Sequence, residues 1–366
     1  MTASPTTTTA AAMHALAAAW LGDVPCDLVP LPGQGFSGAP VWRVQAATGR
    51  FVLKGFPVGM PPDRAAWVHR LMFHIRAAGC AAVPLPQRTA AGTTVVADGG
   101  RLWELVEFVA GGPTATPSPT QATAALQTLA RAHIAAASLP GTAPHAVPGM
   151  VGRIERARGL LADPWRARRD RLPPPPSDAL ARGMHERLDR AITSFDEADG
   201  GRLLAGFAGW QPPPLPTQPV FRDVWADHVF FDREQPDLVT QPALVTGFID
   251  LHAAGIDTPV TDIARLLGSW TSPWPGAGGW ATRWEPAVAA YGNLRPLSAA
   301  ERKALPLFHA SAVVLGLDNW FRWVLEESRS FPVGAALGRV DWLLNCLPAA
   351  LQTLSSDGAT AGASLV

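Results

Sequence analysis

Short runs of alternating apolar and polar residues dominate the chain between residues 28 and 110. The runs are APVWRVQ, RFVLKGF, TTVVAD and RLWELVEFV, and their alternation predicts β-strands. Between the second and third runs, the segment DRAAWVHRLMFHIRAAG carries apolar residues at helical spacing and ends at Gly79. This region is therefore predicted to form a small sheet that carries one helix.

The remainder of the chain is predicted to be largely helical. After the glycines of VAGGP, the segment TQATAALQTLARAHIAAASL places Leu126, Leu129, His133 and Ile134 on one predicted helical stripe. Two proline-rich breaks, at residues 172–176 and 211–216, are predicted to be loops rather than ligands for a partner. The pattern thus changes from strands to helices once along the chain.

Length, charge and cysteine content narrow the class of protein. A chain of 366 residues exceeds a typical domain, so one large two-lobed domain or two domains are expected. The formal net charge of zero gives no electrostatic reason to expect nucleic acid or an anionic membrane as a partner. An odd number of dispersed cysteines argues against a disulfide framework, and no run of about 18 apolar residues predicts a membrane span. We therefore expect a cytoplasmic protein.

A glycine-rich segment, GQGFSG, lies near the start of the predicted sheet. Gly33, Gly35 and Gly38 satisfy the spacing G-x-G-x-x-G, and Ser37 lies between the last two. A dinucleotide-binding loop of this spacing precedes a helix, but here Pro40 and the strand VWRV follow. A glycine loop between two antiparallel strands is instead the arrangement that covers ATP phosphates in kinases.

Lys54 lies in the next predicted strand, FVLKGF, where a kinase carries a lysine for the α- and β-phosphates. Of the 30 basic residues in the chain only Lys54 and Lys303 are lysines, so a lysine at this position invites a chemical explanation. The alternative, a tight glycine turn beside a surface lysine, stays open.

Two aspartates lie in segments suited to phosphoryl transfer. Asp223 lies in VFRDVWADHVFFD, between apolar runs, where a carboxylate can accept the proton of a substrate hydroxyl. Asp250 ends the apolar run LVTGFID, which suits a hairpin that returns beside Asp223 and a metal-binding carboxylate. For each aspartate alone, a solvated turn or a helix cap is the alternative.

Taken together, these segments resemble the aminoglycoside phosphotransferase-like family of small-molecule kinases. The resemblance runs from about Leu28 to Leu351, and its segments in order are GQGFSG, FVLKGF, LWELVEFVAG, LQTLARAH, RDVWADHVFFD, GFIDLHAAGIDTPVTDIARLLGSW, AYGNLRPLS and NWFRWVLEE. It implies a two-lobed α+β protein-kinase-like fold. The N-lobe is predicted at residues 13–110, the helical C-lobe at 111–352, and disordered tails at 1–12 and 353–366.

The resemblance also implies roles for individual residues. Asp223 corresponds to the catalytic base, Asp250 to the metal-binding aspartate, and Asp262 to an aspartate that holds its loop. Glu107 to Val109 correspond to the hinge whose backbone meets adenine. ATP and Mg²⁺, with Mn²⁺ as an alternative, are the cofactors that this implies.

The chain departs from the family pattern at three places. Where the pattern reads H-G-D-x-x-x-x-N, the chain has Phe221-Arg222-Asp223, and His228 stands in the asparagine position. We predict that His228 lies at the metal site and that Arg222 assists Asp223 or holds an anion. The helix after Lys54 has no glutamate for that lysine, which leaves Asp63 and His69 as its candidate partners.

We therefore predict an ATP-dependent phosphotransferase whose acceptor is a hydroxyl of a small molecule. A degenerate member that binds nucleotide without efficient turnover is the second hypothesis, and a helical interaction scaffold is the third.

Two further sets of residues each have two interpretations. The arginine-rich segment RIERARGLLADPWRARRDR fits an anion-binding or a solvated helix face, and Trp270, Trp274, Trp280 and Trp284 fit an acceptor pocket or a core.

Overall fold

The computed structural model describes residues 10–31, 39–140, 148–173, 178–232, 244–270 and 280–362. The chain divides into two compact units, and each unit is built from two segments. The first unit comprises Met1–Thr142 and Pro219–Gly255, and the second comprises Ala143–Gln218 and Ile256–Val366. Both candidate catalytic aspartates therefore belong to the first unit.

A five-stranded antiparallel sheet forms the centre of the first unit, with the strand order β1-β2-β3-β5-β4. The strands are β1 (Cys26–Leu31), β2 (Val41–Ala46), β3 (Gly49–Gly55), β4 (Val96–Asp98) and β5 (Arg101–Glu107). Ala46 pairs with Gly49 across the tight β2–β3 turn, where Gly49 has φ +145°. The predicted turn in AATG is present, and it sets the register that places Lys54 opposite Val41.

Alternation along the strands separates two environments. Val44, Leu53 and Leu105 are fully buried and pack with Met13 and Leu16 of helix α1 (Ala10–Leu21). Full burial of one such side chain stabilises the fold by about 1.5–3 kcal/mol. Lys54 immediately follows Leu53 and points to the opposite face of the sheet, because successive side chains of a strand alternate.

Two longer helices complete the N-terminal segment of the first unit. Helix α2 (Pro62–Ala77) has proline in its first turn, and the chain leaves it through Gly79, whose φ is +93°. Helix α3 (Pro119–Ala137) begins with a capping box, in which Ser118 and Gln121 each accept a hydrogen bond from the other's backbone N–H. The α3 stripe is buried at Leu126, Leu129 and His133.

Short strands surround the second segment of this unit. They are β6 (Gln218–Val220), β7 (Val229–Phe231), β8 (Val245–Phe248) and β9 (Gly255–Asp257). Strands β7 and β8 form an antiparallel hairpin, with Val229 opposite Phe248. Short 3-10 turns at Ala226–His228 and Leu251–Ala253 adjoin these strands. The hairpin thereby places the loop that carries Asp223 beside the segment that carries Asp250, within the first unit.

Apart from the strand residues Gln218, Ile256 and Asp257, the regular structure in the described part of the second unit is helical. Its helices are α4 (Pro148–Ala162), α5 (Trp165–Arg171), α6 (Ala179–Glu197), α7 (Gly200–Gly209), α8 (Val260–Leu267), α9 (Trp280–Leu294), α10 (Ala299–Phe321) and α11 (Val333–Gly362). Helix α10 begins with a capping box at Ser298 and Glu301 and continues into a π-helical turn at Arg322–Glu326. The core of the second unit contains Trp165, whose ring packs edge-on against the Phe321 ring with the ring centres 5.5 Å apart.

The change from strands to helices was predicted correctly, and a few details differ. Ile134 is 48% exposed, so the predicted α3 stripe was wrong at that residue. Residues 10–12 and 353–362 are helical, so part of each segment predicted as a disordered tail has regular structure. No helix within the described ranges is long and apolar enough to span a membrane. The three cysteines are free.

Candidate active site

The loop that follows β6 carries Asp223 on buried apolar anchors. Val220 is fully buried, while Phe221 and Val224 are each 2% exposed. The Phe221 ring packs 5.5 Å from the Phe248 ring and 6.2 Å from the His133 ring. Because the anchors flank a half-buried Asp223, the loop presents this carboxylate at a fixed position.

Backbone geometry in the same loop is unusual. Arg222 has φ +65° and Asp250 has φ +61°, in the left-handed region that non-glycine residues seldom adopt. Residues in such conformations persist when their surroundings hold them, and they cluster at functional sites. Both positions coincide with residues that the sequence predicted to be functional.

The Asp223 carboxylate is oriented by an indole. Trp225 Nε1–H donates a hydrogen bond to Asp223 Oδ1, and the Trp225 side chain is half-buried. His228 Nδ1 lies 2.7 Å from the backbone oxygen of Asp223, which can only accept a hydrogen bond. His228 Nδ1 therefore carries the proton of that bond, and Nε2 faces away from the loop backbone.

The β7–β8 hairpin brings His228 to Asp250. Ile249 N–H donates to His228 O at 2.9 Å, which continues the pairing of Val229 with Phe248 beyond the strand ends. His228 Nε2 consequently lies 3.8 Å from Asp250 Oδ2. The structure thus brings together the two residues that the sequence predicted to be metal ligands.

Asp250 is surrounded by cationic and hydrogen-bonding groups. Its Oδ1 pairs with Lys54 Nζ and with His252 Nδ1. Burial opposes ionisation of Asp250, but the His252 hydrogen bond and the charges of Lys54, His252 and His228 outweigh it. The pKa of Asp250 is held well below its ordinary value, so this group is a carboxylate at neutral pH.

The neighbours of Lys54 differ from both sequence candidates. Asp63 is exposed and accepts the backbone N–H of Arg64, while His69 Nε2 lies 2.7 Å from Glu104 Oε2. Neither residue contacts Lys54, whose ion-pair partner is Asp250. Glu104 lies directly opposite Lys54 in the β3–β5 pairing and is 8% exposed. Glu104 thus lies beside Lys54 on the same face of the sheet, but its carboxylate pairs with His69, and Asp250 is the carboxylate that pairs with Lys54.

The predicted hinge follows β5 and is attached to the β7–β8 hairpin. The Glu107 carboxylate accepts hydrogen bonds from Arg76 Nη1 and from the Leu85 backbone N–H, both at 3.0 Å. A side chain at Gly247 would meet Val109 Cγ1 at 2.7 Å, so only glycine allows β8 to pass this close to Val109. The hinge and the strand that leads to Asp250 are therefore in direct contact.

A second close approach fixes the end of the hinge. Gly112 and Phe231 exchange backbone hydrogen bonds of 3.1 and 2.9 Å. Gly111 has φ +89°, and a Cβ there would lie 2.1 Å from Phe231 O. Any other residue at Gly111 would both strain the backbone and displace β7.

The remaining predicted residues fall into three groups. The glycine-loop residues Gly33, Gly35, Ser37 and Gly38 lie outside the described residues, as does Trp274. Asp262 is fully buried in the first turn of α8, and Trp270 and Trp284 are buried with rings 5.9 Å apart. For these two tryptophans the core interpretation holds, and the Trp280 side chain lies outside the described part of the structure.

The arginine-rich segment is engaged in ion pairs within the second unit. The pairs are Arg166–Asp196, Arg168–Asp318, Arg169–Asp189 and Arg171–Asp163. These contacts favour the structural interpretation of the segment over an anion-binding one.

Three residues at the site were not predicted from the sequence: Trp225, His252 and Glu104. Trp225 and His252 each lie two positions after a predicted functional aspartate, and this proximity was the available signal. Glu104 carried a different signal, because it is an acidic residue between the apolar residues Trp103 and Leu105 of β5. Its relation to Lys54 depends on strand register.

Comparison with known proteins agrees with this geometry. The sequence model described as the Phosphotransferase enzyme family matches residues 29–297. The chain belongs to this family. A homoserine kinase of Methylobacterium nodulans is 30% identical over 244 residues, which are 67% of this chain and 64%, slightly less than two thirds, of that protein. A homoserine kinase of Brucella anthropi is 26% identical over 293 residues, which are 80% of this chain and 78% of that protein.

Two solved structures share the fold. A microcompartment-associated aminopropanol kinase has a TM-score of 0.60 and 18% identity, covering 94% of this chain and 98% of that one. An amicoumacin kinase, hAmiN, solved with AMP-PNP, Ca²⁺ and Ami, has a TM-score of 0.60 and 13% identity, covering 93% and 94%.

The family match and the homoserine kinase relatives confirm the predicted family and class of activity. The two solved structures confirm the kinase-like α+β fold. The protein is a phosphotransferase of the small-molecule kinase class.

Proposed function

We propose that this kinase transfers the γ-phosphoryl group of ATP to the hydroxyl of a small amino alcohol, with homoserine as the first candidate. The observation that carries the proposal is the convergence of Lys54, Asp250 and His228 beside the loop of Asp223, all within the first unit. Relatives named homoserine kinase supply the candidate acceptor.

Lys54 is the proposed ligand of the α- and β-phosphates. Its ammonium is held at the face of the sheet by Asp250 and lies on a rigid central strand, which limits the positions that it can reach. A compact ammonium suits a phosphate oxygen as a point charge. The glycine loop, comprising Gly33, Gly35, Ser37 and Gly38, is proposed to cover the same phosphates through its backbone N–H groups.

The hinge is the proposed adenine site. The backbone N–H of Glu107 donates to Leu85 O and that of Phe108 donates to Arg50 O. Among the described residues, the backbone N–H of Val109 has no such partner. The backbone N–H of Val109 is therefore the proposed donor to adenine. The Glu107 side chain fixes the hinge through its hydrogen bonds with Arg76 and Leu85.

Asp250 and His228 are the proposed protein ligands of Mg²⁺. An ionised carboxylate is the oxygen ligand that Mg²⁺ prefers, and the pKa of Asp250 keeps it ionised. The hydrogen bond from His228 Nδ1 to Asp223 O leaves Nε2 on the side of Asp250, so Nε2 would be the metal-binding atom of this ring. Imidazole suits Mn²⁺ better than Mg²⁺, so Mn²⁺ is the alternative ion.

The described part of the chain contains no cluster of three metal-binding side chains, so phosphate oxygens and water would complete the coordination. When bound, the ion neutralises the phosphates and aligns the transferred group.

Asp223 is the proposed general base. Its carboxylate, oriented by Trp225 Nε1–H, accepts the proton of the acceptor hydroxyl as the oxygen attacks the γ-phosphorus. The bond between the γ-phosphorus and the β,γ-bridging oxygen breaks at the same time, and ADP leaves. Arg222 is proposed to assist at the same loop by holding an anionic group. Because Phe221 and Val224 anchor both sides of the loop, the base is positioned before the acceptor binds.

One observation favours a second candidate function, nucleotide binding without efficient turnover. His228 replaces an oxygen ligand by a nitrogen ligand that suits Mg²⁺ less well. A protein of this kind would bind ATP with a divalent ion and leave every acceptor unphosphorylated.

The test measures ADP release with L-homoserine, 3-amino-1-propanol and an aminoglycoside, using the wild type, Asp223→Asn and Asp227→Asn. Asp227 is exposed in the same loop and serves as the matched control. We expect turnover with at least one acceptor, a loss of about 100-fold or more for Asp223→Asn, and little change for Asp227→Asn. Calorimetry should show that Asp223→Asn still binds ATP.

ATP binding with no turnover on any acceptor would favour the second candidate. Near wild-type turnover by Asp223→Asn would refute the proposed base.

A further inference from the structure

Two guanidinium groups meet next to the predicted catalytic loop. Gly255 separates them: a methyl group at this glycine would lie 3.2 Å from Arg222 Nη1 and 3.7 Å from Arg64 Nη2. The two nitrogens are therefore no farther apart than the sum of these distances. Both arginines and Gly255 belong to the first unit.

Arg64 is held rigidly in this position. Its Nη2 donates to Ala254 O and, at 3.2 Å, to Ala253 O, and its guanidinium lies 5.4 Å from the centre of the Trp67 ring. Within the described residues, the partners of the Arg64 side chain are these two carbonyl oxygens and the Trp67 ring. Burial and the charge of Arg222 lower the pKa of Arg64 from its ordinary value.

Arg222 reaches the same point from the catalytic loop. Its left-handed backbone, with φ +65°, directs the side chain toward Gly255, and the next residue is Asp223. A larger residue at position 255 would crowd Arg222, since a Cβ there would lie 3.0 Å from Arg222 Cδ. The glycine thus permits the two cations to approach each other.

We propose that Arg64 and Arg222 form a binding site for the carboxylate of the phosphoryl acceptor. This inference rests on the proposed function, and it narrows the acceptor to hydroxy or amino acids such as homoserine, as opposed to amines without a carboxylate. An anion within reach of both guanidinium groups is attracted by each of them. Guanidinium groups match the two oxygens of a carboxylate with paired N–H donors.

The position fits an acceptor better than it fits the nucleotide. The proposed phosphate ligand is Lys54, which pairs with Asp250, whereas Arg222 adjoins the base that must contact the acceptor hydroxyl. A carboxylate held by the arginine pair would keep the acceptor against Asp223. The same site would also attract the transferred phosphoryl group, so the experiment must separate these two sources of negative charge.

The experiment compares L-homoserine with 3-amino-1-propanol, which is the same molecule without the carboxylate. Binding to the protein with AMP-PNP and Mg²⁺ is measured by calorimetry, and kcat/KM is measured for each acceptor. The variants are Arg222→Met, Arg222→Lys and the control Arg70→Met, which removes an exposed arginine of α2. Arg222 is itself exposed, so its replacement should leave the fold intact.

We expect Arg222→Met to weaken binding and kcat/KM for L-homoserine by roughly 10- to 100-fold, the value of one hydrogen bond between charged groups. The loss for 3-amino-1-propanol should be about tenfold smaller than the loss for L-homoserine, because 3-amino-1-propanol lacks the carboxylate. Arg222→Lys should restore part of the preference, and Arg70→Met should change neither acceptor.

An equal loss for both acceptors would assign the arginines to the phosphoryl group and overturn the carboxylate site. An unchanged ratio of the two kcat/KM values in Arg222→Met would also overturn it, although the kinase function would stand. If neither acceptor binds, the affinity for sulfate is measured instead, with chloride at matched ionic strength as the control. The titration uses the Lys54→Met protein, in which the proposed phosphate ligand is removed, with and without Arg222→Met. Sulfate affinity equal in the Lys54→Met protein with and without Arg222→Met would exclude an anion site there.

Discussion

Replacement of Trp225 by phenylalanine tests how far catalysis depends on the orientation of Asp223. The change retains an aromatic ring and removes only the Nε1–H donor that binds Asp223 Oδ1. A hydrogen bond to a charged group contributes about 1.5–3 kcal/mol, which corresponds to roughly 10- to 150-fold in rate if it is expressed fully in the transition state. Because the Trp225 side chain is half-buried, water can replace part of the bond, and we expect about a tenfold loss in kcat.

The assay is steady-state ADP release at saturating acceptor with varied ATP, beside a control variant, Trp210→Phe, at a half-buried tryptophan of the second unit. We expect a lower kcat for Trp225→Phe, an unchanged affinity for ATP, and wild-type values for Trp210→Phe. The reasoning would be refuted if kcat for Trp225→Phe stayed within about twofold of wild type, since a bond worth this much to the base could not then exist.

Three further predictions concern nucleotide, metal and acid stability. Lys54→Ala should weaken ATP binding in calorimetry without loss of helical circular dichroism, and Lys54→Arg should not restore it fully, because a planar guanidinium is not a compact ammonium. His228→Asn should shift the Mg²⁺ activation curve relative to the Mn²⁺ curve, and identical curves would remove His228 from the metal site. Burial, with the charges of nearby arginines, lowers the pKa of His309 to about 3. The unfolded chain therefore takes up a proton below about pH 6.5 that the folded chain does not, so stability falls by about 1.4 kcal/mol per pH unit from about pH 6.5 towards pH 3. Urea unfolding of His309→Gln should show a shallower dependence on pH over this range, and equal slopes for the two proteins would contradict the assignment.

Local pattern was sufficient to predict the elements that carry the site. Alternation in RFVLKGF predicted the strand β3, and Leu53 is buried while Lys54 takes the other face. The turn in AATG and the glycine at the end of α2 act within a few residues, so their chemistry is visible in the sequence. The order of the motifs along the chain then predicted that Asp223 and Asp250 belong to one phosphoryl-transfer site. The β7–β8 hairpin places their two segments together.

Long-range pairing limited the sequence prediction. The partner of Lys54 was sought on α2, but it is Asp250, and the acidic residue opposite Lys54 is Glu104 on β5. Which residue faces which depends on the register of distant strands, and a single sequence does not contain that information. Ile134 shows the same limit locally, because it adjoins His133 and points about 100° away around the helix.

The discontinuity of the first unit bears on how the protein is synthesised. Lys54 and the hinge belong to its first segment, and Asp223, His228 and Asp250 belong to its second, with Ala143–Gln218 lying between them in sequence. A ribosome delivers the N-terminal strands early, but the unit cannot close until Gly255 has emerged. The edges of the unit, including the surface that Gly111 and Gly112 present to Phe231, stay uncovered until the β7–β8 hairpin has been synthesised. Slow translation through the intervening segment would therefore prolong exposure to aggregation and chaperones, and hydrogen exchange should show the hairpin gaining protection together with the sheet rather than with the helices.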